Sequence, residues 1–163
     1  MFEPEFLFKI VNASVLPAWL MLTLLPKWKG THVLVHSMLY PLFLGLIYIG
    51  GLIGTLFLGL GAEGSGFTSI TEVRQIFASD MGVVVGWAHF LVFDLFVGAW
   101  EARDAQRRGF NHVLLIPCLL FTFIFGPVGL VLYLILRAAT KKGGWGIETN
   151  RQSDLNHSSN KLT

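Results

Sequence analysis

Four long apolar runs, separated by short polar clusters, dominate this chain. They cover roughly residues 6–25, 32–60, 81–100 and 113–136. Each reaches or exceeds the ~20 apolar residues that an α-helix needs to cross hydrocarbon. The pattern therefore predicts an all-α, four-span transmembrane bundle within residues 1–142. Pro17 should kink the first span, because proline lacks a backbone donor and crowds the preceding turn. The second span is longer than a bilayer requires, so it should tilt or break, and Tyr40-Pro41 is the expected point. Pro117, Gly126-Pro127 and Gly129 predict kinks in the fourth. Between spans two and three, GLGAEGSG (59–66) reads as a flexible loop. In the following FTSITEVRQIFASD (67–80), Ile70, Val73, Ile76 and Phe77 recur at helical spacing, with Glu72, Arg74 and Gln75 between them. That predicts a short interfacial amphipathic helix, capped by Ser69 or Thr71. The third span should continue as a wetter helix to Arg107, where Gly109 ends it. Residues 143–163 are polar and rich in Gly, Asn and Ser, which predicts a disordered tail.

Composition agrees with a multi-pass integral membrane protein. The 163 residues are 53% hydrophobic and 13% charged, with a mean hydropathy of +0.63; a soluble domain is about a quarter charged. A formal charge of +2 and the lack of a long basic run argue against a nucleic-acid partner. Cys118 is the only cysteine, which excludes an intramolecular disulfide and Cys-rich zinc sites; in an apolar run it reads as a buried filler. The start, MFEPEFLF, carries Glu3 and Glu5 where a secretory leader has basic residues, so it reads as a retained first helix. Asn12-Ala13-Ser14 matches a glycosylation acceptor but lies inside a span, where it cannot be used. Orientation is balanced. Four spans place Lys9, Arg74, Arg137, Lys141 and Lys142 on one side, and Lys27, Lys29, Arg103, Arg107 and Arg108 on the other.

The candidate chemistry gathers in WAHFLVFDLFVGAWEARD, Trp87 to Asp104. Ionisable groups inside hydrocarbon are costly and mark functional sites by default. Asp94 and Glu101, seven positions apart, are nearly eclipsed on one helix face, and Asp104 stays on that side. His89 is five positions before Asp94 and so is skewed from it by about 140°. His32, His36 and Tyr40 share a face of the second span, and His112 opens the fourth. The ends carrying His32, Glu101, Asp104 and His112 fall on one side of the bundle. Glu101, Asp104 and the nearby arginines otherwise read as a solvated helix end. Three histidines and an acid could bind a transition metal, but the spacing lacks an H-E-x-x-H or repeated Glu-x-x-His pattern, so no metal site is expected. No Walker loop or dinucleotide fingerprint is present, and no cofactor is expected. A carboxylic acid in low dielectric keeps its proton, and a neutral imidazole accepts one. Asp94 and His89 thus suit proton transfer on an apolar substrate, with Trp87, His36, His32, Tyr40, Glu101 and His112 as substrate-binding or supporting residues.

WAHFLVFDLFVG (Trp87 to Gly98), a basic turn, His112, and PCLLFTFIFGPVGLVLY (Pro117 to Tyr133) together resemble the ABA4-like family. VLPAWLML, LPKWK and Tyr40-Pro41 support the likeness, which covers roughly Val11 to Leu136. Plant members of this family are needed to make neoxanthin from violaxanthin. The resemblance therefore implies opening of a 5,6-epoxide with loss of a vinylic proton to form an allene. Such an isomerisation needs an acid and a base but no redox cofactor. Trp87, His89, Asp94 and His112 occupy matching positions, and the expected roles are Asp94 as acid and His89 as base. The loop GAEGSGFTSITEV and the charged EARDAQRRGFNH depart from the plant pattern, and no plastid leader is seen, which suggests a bacterial inner or thylakoid membrane. The expected partners are membrane lipid and a carotenoid or other isoprenoid, with a homodimer or a partner enzyme as further candidates. The reading from a different class is a non-catalytic membrane protein that binds the isoprenoid or supports an enzyme.

Overall fold

The computed structural model describes residues 3–37, 39–143 and 146–147. Seven α-helices and no strands are present among them: α1 (Pro4–Leu24), α2 (Lys29–Leu34), α3 (Leu39–Phe57), α4 (Ile70–Ile76), α5 (Asp80–Arg107), α6 (His112–Phe125) and α7 (Pro127–Ala139). Three stretches are long and apolar enough to cross a membrane: Pro4–Leu24, Lys29–Phe57 and Asp80–Arg107. The expected disordered tail lies, apart from residues 143 and 146–147, outside the described residues.

Local chemistry accounts for the helix ends. Pro4 opens α1, where its missing donor would have been unpaired anyway. The long second run breaks, as its length and Pro41 suggest. A turn at residues 35–37 separates α2 from α3, and Pro41 sits in the first turn of α3. The proline ring crowds the carbonyl four residues back, at Ser37, and a helix cannot run through it unchanged. Ser69 caps α4 by accepting a hydrogen bond from Glu72 N at 3.2 Å. Glu72 reaches back to Thr68 N at 3.0 Å, closing a reciprocal cap. These bonds hold the Glu72 carboxyl below the usual carboxylate range. Phe67, Ile70 and Phe77 are exposed, as an interfacial helix requires.

Helix α5 is the axis of the fold. Its 28 residues span about 42 Å. Ser79 caps its start, accepting from Gly82 N at 3.1 Å. Gly109, at φ +59°, ends it; Phe110 N donates to Ala105 O at 2.8 Å and Gly109 N to Gln106 O at 3.2 Å. Helices α1, α3 and α6 all pack on α5. The close approaches use glycine. A Cβ on Gly98 would stand 2.6 Å from the Trp19 ring, and one on Gly51 would stand 2.7 Å from Val85 Cγ2.

The single fourth helix expected over 113–136 is instead two short helices, of 14 and 13 residues, that fold back on each other at Gly126. From His112, whose ring lies against Thr23 at the end of α1, α6 runs antiparallel to α5 until Gly126 meets Asp94 at mid-helix. Helix α7 then returns, so that Tyr133 and Arg137 reach Asp104, close to where α6 began. Gly129 lies so close to Thr122 and the carbonyl of Cys118 that a side chain there would collide with both. Each arm is about 20 Å long, well short of a bilayer crossing, and the pair is a hairpin rather than a span. The physical cause is Gly126-Pro127. Gly126 adopts φ +51°, which L side chains avoid, and Pro127 starts a new helix without needing a donor.

Candidate functional site

Beneath the hairpin tip lies a cavity of about 460 Å³, lined by Asn12 of α1, Trp87, Phe90, Leu91 and Asp94 of α5, and residues 123–127. Asp94 is the fifteenth of the 28 residues of α5 and so sits near its midpoint. Its carboxylate occupies the space that a side chain on Gly126 would take; a Cβ there would be 2.5 Å from Oδ1. Asp94 makes no hydrogen bond or ion pair among the described residues. Trp87 forms a cavity wall. Its Nε1 donates to Asn12 Oδ1 at 3.1 Å, and Asn12 Nδ2 donates to Phe8 O at 2.8 Å. The rest of the lining is aromatic and aliphatic, and Phe90, Ile124 and Phe125 are also exposed outward. The cavity is an apolar chamber, open sideways, with one acid and one amide-indole pair.

The structure brings Trp87 and Asp94 together at the chamber and places the other expected residues away from it. His89 lies on the α3 side of α5, its ring centroid 5.6 Å from that of Tyr48 and 4.8 Å from that of Phe93. It does not line the Asp94 cavity. His32 and His36 pair at 5.1 Å between ring centroids, and Arg103 Nη1 donates to His36 O at 3.3 Å. Tyr40 lines a separate shallow groove with Ser14, Pro17 and Phe43. His112 Nε2 lies 2.7 Å from Thr23 O, a hydrogen bond in which the ring donates and which ties the hairpin base to α1. Among the described residues no three His, Cys, Asp or Glu side chains gather in a way that could hold a metal.

Glu101 and Asp104 correct the reading of a solvated helix end. Their exposures are 0% and 1%. Thr122 Oγ1 donates to both Glu101 carboxylate oxygens, at 3.0 and 3.1 Å. Asp104 accepts from Arg108 Nε at 2.8 Å, from Tyr133 Oη at 2.6 Å and from Arg137 Nη1 at 2.7 Å. Arg137, with 0% exposure, also lies beside the Trp100 ring at 6.0 Å and donates through Nη2 to Gly146 O at 3.0 Å. The hairpin covers these acids, and its polar residues, with Arg108 at the end of α5, satisfy them. A buried charge is tolerated only when so paired. The sequence reading missed Thr122 and Tyr133 as site builders and counted Arg137 only as a topology charge. Asn12 entered it only as an unusable acceptor motif. Its signal was a lone amide at mid-depth in an apolar helix.

The comparisons with known proteins follow this architecture. Residues 6–133 match the family model described as ABA4-like, "ABA DEFICIENT 4-like". That range runs from α1 through the hairpin tip to Tyr133. The chain is 24% identical over 140 residues to "Protein ABA DEFICIENT 4, chloroplastic" of Arabidopsis thaliana. The aligned part covers 80% of this chain and 60% of that protein. No solved structure matches. With a family model spanning the three long helices, the Asp94 cavity and most of the hairpin, the chain belongs to the ABA4-like family.

Proposed function

We propose that this chain is a multi-pass membrane protein that isomerises the epoxide end group of a carotenoid to an allene at Asp94. The observation that carries the proposal is an acid without a hydrogen-bond or ion-pair partner among the described residues, at the midpoint of a membrane-length helix, facing an apolar chamber. Such a group is expensive unless it serves a ligand. Family membership supports the substrate class, since the resemblance implies a carotenoid epoxide.

The chamber supports a one-residue proton relay. The protonated Asp94 oxygen donates to the epoxide oxygen as the ring carbon–oxygen bond breaks. The carboxylate's other oxygen takes the vinylic proton, and that C–H electron pair becomes the new double bond of the allene. The product is an isomer bearing a hydroxyl, and the carboxyl is protonated again. No electron acceptor is consumed. The base role expected of His89 passes to Asp94 in this scheme, because His89 stands on another face of α5. Trp87, held by Asn12, supplies a wall against which a polyene end ring can rest.

The same separation of His89 from Asp94 also favours a second reading, in which the chamber binds the carotenoid without changing it. Pigment extraction separates the two. A host supplied with an epoxy-carotenoid and expressing this chain should accumulate an allenic isomer, and Asp94→Asn should abolish it while His89→Gln preserves it. Retention of unchanged epoxide by both the wild type and Asp94→Asn would establish the binding reading instead.

A further inference from the structure

The hairpin changes the electrical layout of the molecule. Because α6 and α7 return to the end where they began, the basic turn at residues 26–30, the end of α5 and the end of α7 all lie together. Arg108 Nη1 reaches Lys142 O at 3.5 Å, and Gln106 Nε2 reaches Pro26 O at 3.1 Å, which closes this end into one rim. Eight of the ten lysines and arginines at described positions lie on it. Arg108 and Arg137 are both ion-paired with Asp104. Lys27, Lys29, Arg103, Arg107, Lys141 and Lys142 have no ion pair among the described residues. The other end carries Glu3, Glu5, Glu63, Glu72 and Asp80 against Lys9 and Arg74, and there Lys9 is paired with Glu5 at 3.2 Å.

The geometry points to three membrane crossings and a half-membrane hairpin, with a rim of six cations, unpaired among the described residues, that binds the anionic headgroups of the cytoplasmic leaflet. Four crossings would split these cations between two sides. Three crossings collect them, and the positive-inside rule then selects one orientation. At headgroup depth, ammonium and guanidinium groups meet lipid phosphates. Their chemistry is that of an anionic surface, and their spread around the rim fits many headgroups rather than one enclosed ion. The Asp94 chamber, below the hairpin tip, then opens toward the opposite leaflet.

Sidedness and lipid dependence test this together. Single cysteines are placed at Lys29→Cys, Lys142→Cys and Glu63→Cys in a Cys118→Ala chain made in a bacterial inner membrane. An impermeant maleimide added to intact spheroplasts should label Glu63→Cys alone, and the other two only after the membrane is opened. Labelling of Lys29→Cys and Lys142→Cys from opposite sides would overturn the hairpin topology, and the reverse orientation would overturn the role of the rim. In a second arm, the purified full-length chain is unfolded by heat in phosphatidylcholine vesicles with and without phosphatidylglycerol. Phosphatidylglycerol should raise the midpoint, inorganic phosphate should not, and the rise should vanish when Lys27, Lys29, Arg107, Lys141 and Lys142 are changed to Gln. Equal midpoints in the two lipids, or equal gains from free phosphate, would refute headgroup binding.

Discussion

Asp104→Asn is the sharpest probe of how the hairpin is held. The substitution keeps the shape of the side chain and removes its charge. In the native chain that carboxylate faces Arg108 at 2.8 Å, Arg137 at 2.7 Å and the Tyr133 hydroxyl at 2.6 Å. Loss of one member of a buried ion pair costs ~3–5 kcal/mol, because the remaining charge is left uncompensated. Here the substitution removes a carboxylate that faces two guanidinium groups in a site of almost no exposure. An exposed salt bridge at a solvated helix end contributes only ~0–1 kcal/mol. The two readings therefore differ by more than about a factor of ten in the folded-to-unfolded ratio. Titration of the purified chain with SDS in mixed micelles measures the difference through tryptophan fluorescence. Trp100 reports locally, since its ring packs edge-on against Tyr133 at 5.8 Å. Arg107→Gln, an exposed change on the same helix, is the control and should shift stability by under ~0.5 kcal/mol. A loss below ~1 kcal/mol for Asp104→Asn would refute the buried network.

Other parts of the account make independent predictions. Gly126→Ala should cost ~1–2 kcal/mol for the left-handed backbone alone and should displace Asp94, whose Oδ1 would lie 2.5 Å from the new Cβ; wild-type stability in the same SDS titration would contradict the reversal at Gly126. Thr122→Val removes the hydroxyl that donates to Glu101 and should cost ~1–3 kcal/mol, against little loss if Glu101 were solvated. Glu72 bonds Thr68 as a carboxylate, so its pKa is lowered and its cap is complete above the ordinary glutamate range and lost as pH falls through the lower folded value. An NMR titration should give the Thr68 amide a midpoint below that of free glutamate, and a midpoint at or above it would contradict the cap.

The parts of this fold that depend on local pattern were legible in the sequence. Helix α5, its end at Gly109, and the amphipathic α4 with a cap at Ser69 or Thr71, of which the structure uses Ser69, follow from periodicity and end residues that need no distant partner. The break before Pro41 follows from one ring and one missing donor. The hairpin was not legible, because Gly126-Pro127 inside an uncharged run permits either a kink or a reversal. What decides between them is long-range. Tyr133 and Arg137, four apart and so on one face of α7, both find Asp104 only if the chain turns back. The same fact hid the burial of Glu101 and Asp104, since charge at the end of an apolar run normally lies in water. In the site, the skew between His89 and Asp94 was readable from their spacing. That Trp87 would face Asp94 across a chamber closed by the hairpin tip was not, because the tip comes from a turn that the pattern left open.

The central proposal is that Asp94, beneath the hairpin tip, carries the isomerisation. It is tested most directly by incubating the purified chain in vesicles with an epoxy-carotenoid alone and following product by chromatography and mass. The account predicts an allenic product of unchanged mass from the wild type and from His89→Gln, and none from Asp94→Asn. Equal turnover by Asp94→Asn and wild type, or an unchanged epoxide with the wild type, would contradict it.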